Sequence, residues 1–379
     1  MRKLVLQMLL FGCSLAGISQ GRQVSTKYLL QQIEALQIKE GNDHGLFPSF
    51  REHHFRQGIE KYDDNIFMTA LIAWTIRRNL PAMDSSSQRL GREIIQRASA
   101  VYPRFQNASG RKTYNYWKTK PPVIFPNAGL LNLFNKAQAL PEDMDCTSIT
   151  MMATDASRNE VMLLHDFMQG FTNDHGQAKT MLPYYNRFKT YSTWFGKKMP
   201  VDLDVCVQAN ILTMINAYDV PFSAADSASL DLIRTVVERR DYMHHPDLIA
   251  GHYQKSSVIL YHIARLMSVK RIPALERLKG ELSADALQLY LETNDIMEKV
   301  ILSTTLKRWG VSVPETTMRP NQSFEEMIDQ SRFAFFIANM AIIIGHPYNK
   351  WLSRTGLVKS NYYCPALNYT LILENICLN

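Results

Sequence analysis

Two hydrophobic patterns alternate along the chain. In the first, apolar residues recur every three or four positions among charged ones, the stripe of a helix lying on a surface. It covers 26–37, 86–101, 158–168, 223–240 and 274–292, and a late segment, 323–344, starts polar and turns apolar. In the second, residues are apolar nearly all round, which predicts a helix buried on every side. It covers 65–76, 146–153, 205–217, 256–267, 296–309 and 365–378. The two kinds follow each other as outer then inner, six times, with Asp, Asn or Ser at the starts and Gly or Pro at the stops. Strand signals are scarce. The predicted fold is all-α: six helical hairpins closing into a ring, an (α/α)6 toroid with the apolar helices inside.

Each apolar helix is entered through a polar cluster: Asp63-Asp64, Asp143 with Asp145, Asp202 with Asp204, His252-Tyr253, Asn294-Asp295, and Asn361-Tyr362-Tyr363. In a ring these clusters gather at one rim. Helix N-termini there present unsatisfied N–H groups and a partial positive charge, so acids at that rim are expected on stability grounds alone. A Pro-x-Asp-x-Asp signature occurs twice, as Pro141-Glu142-Asp143-Met144-Asp145 and Pro200-Val201-Asp202-Leu203-Asp204, which supports an internal repeat.

Composition changes this picture little. Of 379 residues, 46% are hydrophobic and 20% charged, enough for a packed core. The net charge of +7 is spread along the chain without like-charge blocks, which argues against nucleic acid as a partner. Five cysteines are too few for a disulfide framework. The N-terminus changes more. Met1-Arg2-Lys3 precedes an apolar stretch over 4–18, shorter than the about 20 residues of a membrane span. It fits a secretory signal, dividing the chain into a signal segment, 1–21, and a toroid domain, 22–379. Leu10-Phe11-Gly12-Cys13 resembles a lipobox, which would lipidate Cys13 and attach the protein to a membrane; small residues at 14–16 and 18–21 fit an ordinary cut. Either route predicts an exported monomer that is periplasmic, secreted or lipid-anchored at the cell envelope.

Asp143-Met144-Asp145-Cys146-Thr147-Ser148 resembles the Asp-x-Asp-Asp-Thr-Ala motif of class II terpene and squalene–hopene cyclases, and the Asp-Cys-Thr-Ala motif of oxidosqualene cyclases. Those enzymes and the β-subunits of protein prenyltransferases share the α/α-toroid. The resemblance implies that Asp145 protonates a substrate alkene or epoxide and that Asp143 supports it. The chemistry requires a carboxylic acid kept neutral by desolvation, with a second carboxylate raising its proton affinity. The chain lacks the Gln-x-x-x-Gly-x-Trp repeats of triterpene cyclases and has room for one helical ring. Asp204-Val205-Cys206 is similar to the Asp-x-Cys zinc pair of prenyltransferase β-subunits, with His252 or His262 placed to be a third ligand. Cys206 reads instead as a small buried hydrophobe, and neither zinc at Asp204, Cys206 and His252 nor any other cofactor is expected.

Asp143, Asp145, Asp202 and Asp204 are thus the candidate catalytic residues. Candidate substrate-binding residues come from the long connection after 101 (Tyr116 and Trp117), from the segment before the second Asp-x-Asp (Tyr185, Arg187 and Trp194), and from later units (Tyr253 and Tyr363). Aromatic walls with a few carboxylates suit carbocations and sugar rings alike. Three functions stay open: an acid-catalysed, cyclase-like enzyme on an isoprenoid or related lipid, a glycan-active hydrolase or lyase, and a non-enzymatic toroid binding a small molecule or saccharide.

Overall fold

The computed structural model describes residues 24–53, 58–123, 126–127, 142–179, 181–196, 199–313, 324–329, 331–339, 348–357 and 359–378. The expected signal segment with Cys13 lies outside them, as do residues 128–141 and 340–347. The helices are α1 (Thr26–Leu36), α2 (Ile66–Asn79), α3 (Ser85–Val101), α4 (Met144–Ala153), α5 (Arg158–Met168), α6 (Val205–Ala217), α7 (Ala224–Glu238), the short α8 (Asp241–His244) and α9 (Pro246–Ile249), α10 (Ser256–Val269), α11 (Pro273–Glu276), α12 (Lys279–Glu292), α13 (Ile296–Arg308), α14 (Phe324–Asp329), α15 (Tyr348–Thr355) and α16 (Pro365–Cys377). Among the described residues no helix is long and apolar enough to cross a membrane.

The helices expected to be apolar all round are buried to different extents: α13 leaves Ile296, Glu298, Lys299, Val300, Lys307 and Arg308 partly exposed. Every residue of α4 is buried, and every residue of α6 up to Asn216. α2 packs on α4, α4 on α6, α6 on α10, α10 on α13, α13 on α16, and α16 returns to α2. The amphipathic helices lie against this succession: α3 on α2, α7 on α6, α12 on α13, and α1 on α16 and α3. Their starts are built locally, with Asp84 accepting the Ser86 and Ser87 N–H groups, and Ser157 with Glu160 and Ser223 with Asp226 forming capping boxes. Gly91 lets α3 approach α2, because a Cβ there would stand 2.7 Å from a Leu80 methyl and 3.1 Å from Ile76.

Two features depart from the sequence reading. The first is an antiparallel sheet of four strands in the order β2 (Glu60–Tyr62), β1 (Phe50–His53), β4 (Lys359–Tyr363), β3 (Phe336–Asn339). Phe50 pairs with Tyr363 and Phe336 with Tyr362, so the sheet joins the entrance of α2 to the entrance of α16. The second concerns 323–344, where one helix was expected. The chain instead forms α14 and then β3. Phe333, Ala334 and Phe335 are all buried, and from Phe335 the burial alternates, with Ile337 and Asn339 buried and Phe336 and Ala338 less so, the period of two of a strand on a pleated surface.

The connections make a collar over the helix N-termini. Tyr116 O accepts the Ile66 N–H at the start of α2 (3.2 Å), and Tyr114 O accepts the Asp143 N–H before α4 (3.2 Å). Thr193 O accepts the Met144 N–H and the Thr193 N–H reaches Asp202 O, both at 2.8 Å, tying α4 to α6. His252 O accepts the Ile337 N–H at 2.9 Å, which brings β3 to the entrance of α10.

Candidate functional site

The site grows from caps. Asp143 caps α4, its Oδ1 accepting the Cys146 N–H at 2.6 Å. Asp204 caps α6, its Oδ1 accepting Cys206 and Val207 N–H groups at 2.8 and 3.3 Å. Asn65 and Asp295 do the same for α2 and α13. The two repeats deliver their acids differently: Asp202 precedes the Asp204 cap on extended backbone, where residues two apart share a side, whereas Asp145 follows the Asp143 cap in the first turn of α4.

The structure brings all four candidate acids to one cluster around His252. Its Nε2 lies 2.8 Å from Asp202 Oδ2, and its main-chain N–H donates to Asp204 Oδ2 at 2.9 Å. Burial disfavours the imidazolium, but the Asp202 carboxylate and its hydrogen bond, with the charges of Asp204 and Asp145, outweigh that and raise His252 to about 9. Asp145 is held at both oxygens, by the Asn210 amide at 2.5 Å and by the Tyr253 hydroxyl. Desolvation raises its pKa against those two donors.

Asp143 and Asp204 are raised furthest among the acids given a value, both to about 7 and both first through desolvation. Their hydrogen bonding differs. Asp204 uses both oxygens. Asp143 Oδ2 is buried and has no hydrogen-bond partner. The Cys146 main-chain N–H opposes the rise, the Asp145 charge adds to it, and a weak hydrogen bond from the Cys146 thiol to the same carboxyl opposes it. A carboxyl in that setting is neutral below about pH 7, with an oxygen free to carry a proton.

A fifth acid, Asp63, stands at the α2 entrance. It receives the Trp117 indole N–H, the Arg51 guanidinium and, at 3.0 Å, the Tyr362 hydroxyl. Burial still raises it to about 6.

Aromatic rings fill the space over these groups. Phe336 lies parallel to His252, 6.0 Å between centroids, and 5.4 Å from Tyr116, 5.9 Å from Tyr253 and 5.7 Å from Phe67. Phe335 goes deeper, to 5.5 Å from His262 and 5.8 Å from Tyr261 of α10. Trp194 meets His252 edge-on at 6.0 Å. The Tyr116 hydroxyl and the Trp194 indole N–H are both buried and without a partner.

The other candidates are dispersed. Tyr116, Trp194 and Tyr253 line the acid cluster, and Trp117 serves Asp63 next to it. Tyr185 is a buried residue bonded to Asp241 at 2.6 Å, and Arg187 is exposed, lying over the Tyr184 ring at 4.0 Å. Tyr363 is half-buried on β4 and bonds Glu52 at 3.3 Å. Around the Asp-x-Cys pair, Asp204 caps α6, the Cys206 thiol is fully buried and His252 Nε2 bonds Asp202. No group of three metal-ligating side chains occurs among the described residues.

Reading the sequence for acids and rings passes over Asn210, Phe335 and Phe336. Asn210 had a usable signal, a primary amide inside an otherwise apolar helix, since such a group must find partners. Phe335 and Phe336 were read as part of a helix and gave none. No protein-family model matches the chain, and no curated protein matches its sequence.

Proposed function

We propose that the succession of inner helices is the closed (α/α)6 toroid expected from the hydrophobic pattern, that the protein is exported, and that its rim is a Brønsted-acid site for an apolar, isoprenoid-like substrate. The observation that carries this reading is Asp143 Oδ2: buried, unpartnered, and on a carboxyl raised to about 7. The resemblance to cyclases gives the donor role to Asp145. Geometry favours Asp143, because both oxygens of Asp145 are already occupied. Asp145 then orients the site and, with Asp202 and Asp204, supports the His252 imidazolium.

In the step proposed, the Asp143 proton adds to one alkene carbon. A C–H bond forms, the π pair is consumed, the neighbouring carbon becomes cationic, and Asp143 is left as carboxylate. The faces of Tyr116 and Tyr253 stabilise the cation, and loss of a proton from carbon to a basic group ends the reaction. The substrate occupies the place of Phe335 and Phe336, so the 333–337 segment must withdraw for turnover. A second reading, a glycan hydroxyl at the site, is favoured by the two unpartnered donors on Tyr116 and Trp194. The enclosed rather than exposed rings speak for the apolar substrate.

Incubation with squalene or geranylgeraniol in D2O, followed by mass analysis of the products, tests the reading. The expected result is a cyclised or isomerised hydrocarbon skeleton carrying deuterium on carbon. Unchanged substrates, with cleavage of a polysaccharide by the same preparation, would replace it by the glycan reading.

A further inference from the structure

Toward the C-terminal ends of the inner helices lies a second cluster, distinct from the caps and joined to the rim through Asn210. Arg78 lies in the last turn of α2, Arg308 ends α13, and Arg265 lies near the end of α10. They converge on two rings. The guanidinium carbons of Arg78 and Arg265 stand 5.5 and 4.8 Å from the Trp74 centroid, and those of Arg265 and Arg308 stand 5.3 and 5.0 Å from the Tyr261 centroid.

Two carboxylates face these three cations, Glu374 directly and Asp145 at longer range, through its charge on Arg265. Glu374 pairs with Arg308 and accepts the Tyr261 hydroxyl at 2.5 Å. Arg265 is 1% exposed and forms no ion pair among the described residues; one of its nitrogens donates to Asn210 Oδ1. Arg78 reaches Ser268 Oγ at 3.3 Å. That leaves four buried nitrogens with no partner: Nη1 of Arg78, Nε and Nη1 of Arg265, and Nη1 of Arg308.

Cations at helix C-termini ordinarily answer the negative end of the helix dipole. Arg77 does this, donating to Ala153 O at 3.2 Å. The four bare nitrogens reach no carbonyl, so the helix ends do not account for them. Buried, unsatisfied donors on a cation are among the costliest groups to leave without a partner, and three guanidiniums against Glu374 and the more distant Asp145 leave an excess of positive charge in the interior.

We infer that Arg265, flanked by Arg78 and Arg308, forms a buried site for one small anion of halide to phosphate size. The guanidinium fork suits such an ion, because its N–H groups point in fixed directions and hold full charge at any physiological pH. The pKa of Arg78 agrees: burial first, and then the Arg308 charge, hold it down to about 10, as for a cation among cations. The bridge Asp145–Asn210–Arg265 links this site to the rim, so its occupancy also fixes the amide that orients Asp145.

Thermal unfolding of the full chain in gluconate at constant ionic strength, with bromide or phosphate titrated in, tests the site. A saturable rise in Tm is expected, on the order of 3 °C at a hundredfold excess over Kd, and Arg265→Met should abolish it. If that variant does not fold, Arg78→Met at the cluster's edge should weaken the titration at least tenfold. A rise with phosphate alone keeps the site and restricts it to oxyanions. A wild-type Tm indifferent to both anions, or an equal rise in the folded variant, overturns it.

Discussion

Asp143→Asn is expected to lose turnover by about 10²–10⁴-fold, the usual contribution of a positioned proton donor, with the fold intact. Stability should hold because asparagine caps a helix as well as aspartate does. Its amide oxygen can keep the bond to the Cys146 N–H, and a neutral amide replaces a carboxyl that is itself neutral below about pH 7. Below about pH 4, where the carboxyl is largely neutral in both states, the unfolding free energy should stay within about 1 kcal/mol of wild type, and above it the variant should gain on the wild type by up to about 1.4 kcal/mol per pH unit as far as pH 7. Asp145→Asn makes the informative contrast. One of its atoms becomes an NH2: facing the Asn210 amide it meets another donor, and facing Tyr253 it makes the hydroxyl accept and leaves the buried hydroxyl proton without its acceptor, so it should be less stable by on the order of 2 kcal/mol. Deuterium incorporation and urea unfolding, measured on both variants, check this pair of results. Full activity in Asp143→Asn would return the donor role to Asp145.

The stability of the wild type is expected to fall from about pH 5 to about pH 9. The sign follows from which state holds more protons. Asp143 and Asp204 titrate near 7 in the folded chain against an ordinary 3.8, and Asp63 near 6. Between those values the folded state keeps protons that the unfolded state has released, so raising the pH favours unfolding. His252, raised to about 9 from 6.5, acts in the same direction through the next interval: its contribution is complete below 6.5 and is lost as the pH passes through 9. Each pH unit over which one extra proton is held amounts to about 1.4 kcal/mol. Neutral Asp204 attracts His252 less than charged Asp204 does, so the gains overlap, and the total is on the order of 5 kcal/mol. Glu34 and Asp43 oppose the trend in acid. Both are partly desolvated, yet Lys39 with Arg97 and Lys118 with Arg104 hold them below the usual carboxylate range, so their contribution disappears as the pH drops through their lowered values. Urea unfolding across this range should place the maximum near pH 5. Asp143→Asn should flatten the slope below pH 7. A wild-type maximum at pH 7–8 would contradict the assignment of neutral buried acids.

Much of the architecture could be read from periodicity. Helices α4, α6, α10, α13 and α16 fall within about two residues of the predominantly apolar segments, because the polar cluster before each marks where the helix starts. The Pro-x-Asp-x-Asp repeat located the two caps for the same reason: an aspartate before a buried helix has orphan N–H groups to accept. What escaped the reading depends on contacts across the chain. Phe335 and Phe336 carry no helical or strand signal that decides between the two; the β4 edge and the rings of His252, His262 and Tyr253 settle the matter. Tyr185 and Arg187 looked equivalent to Trp194 by position. Only the tertiary partner Asp241 shows Tyr185 to be a packing residue. The ranking of Asp143 over Asp145 likewise depends on Asn210 and Tyr253, which arrive from two other helical units.

The central claim, a neutral carboxylic acid with a free oxygen at the helix entrance, can be tested without knowing a substrate. Infrared difference spectra of the wild type and Asp143→Asn, titrated from pH 5 to pH 9, report directly on protonated carboxyls. The wild type should show a protonated-carboxyl carbonyl band at pH 5 that disappears around pH 7, and part of that band should be absent from the variant. A wild type with no such band at pH 5, or a band unchanged by the substitution, would show that Asp143 is an ordinary ionised cap.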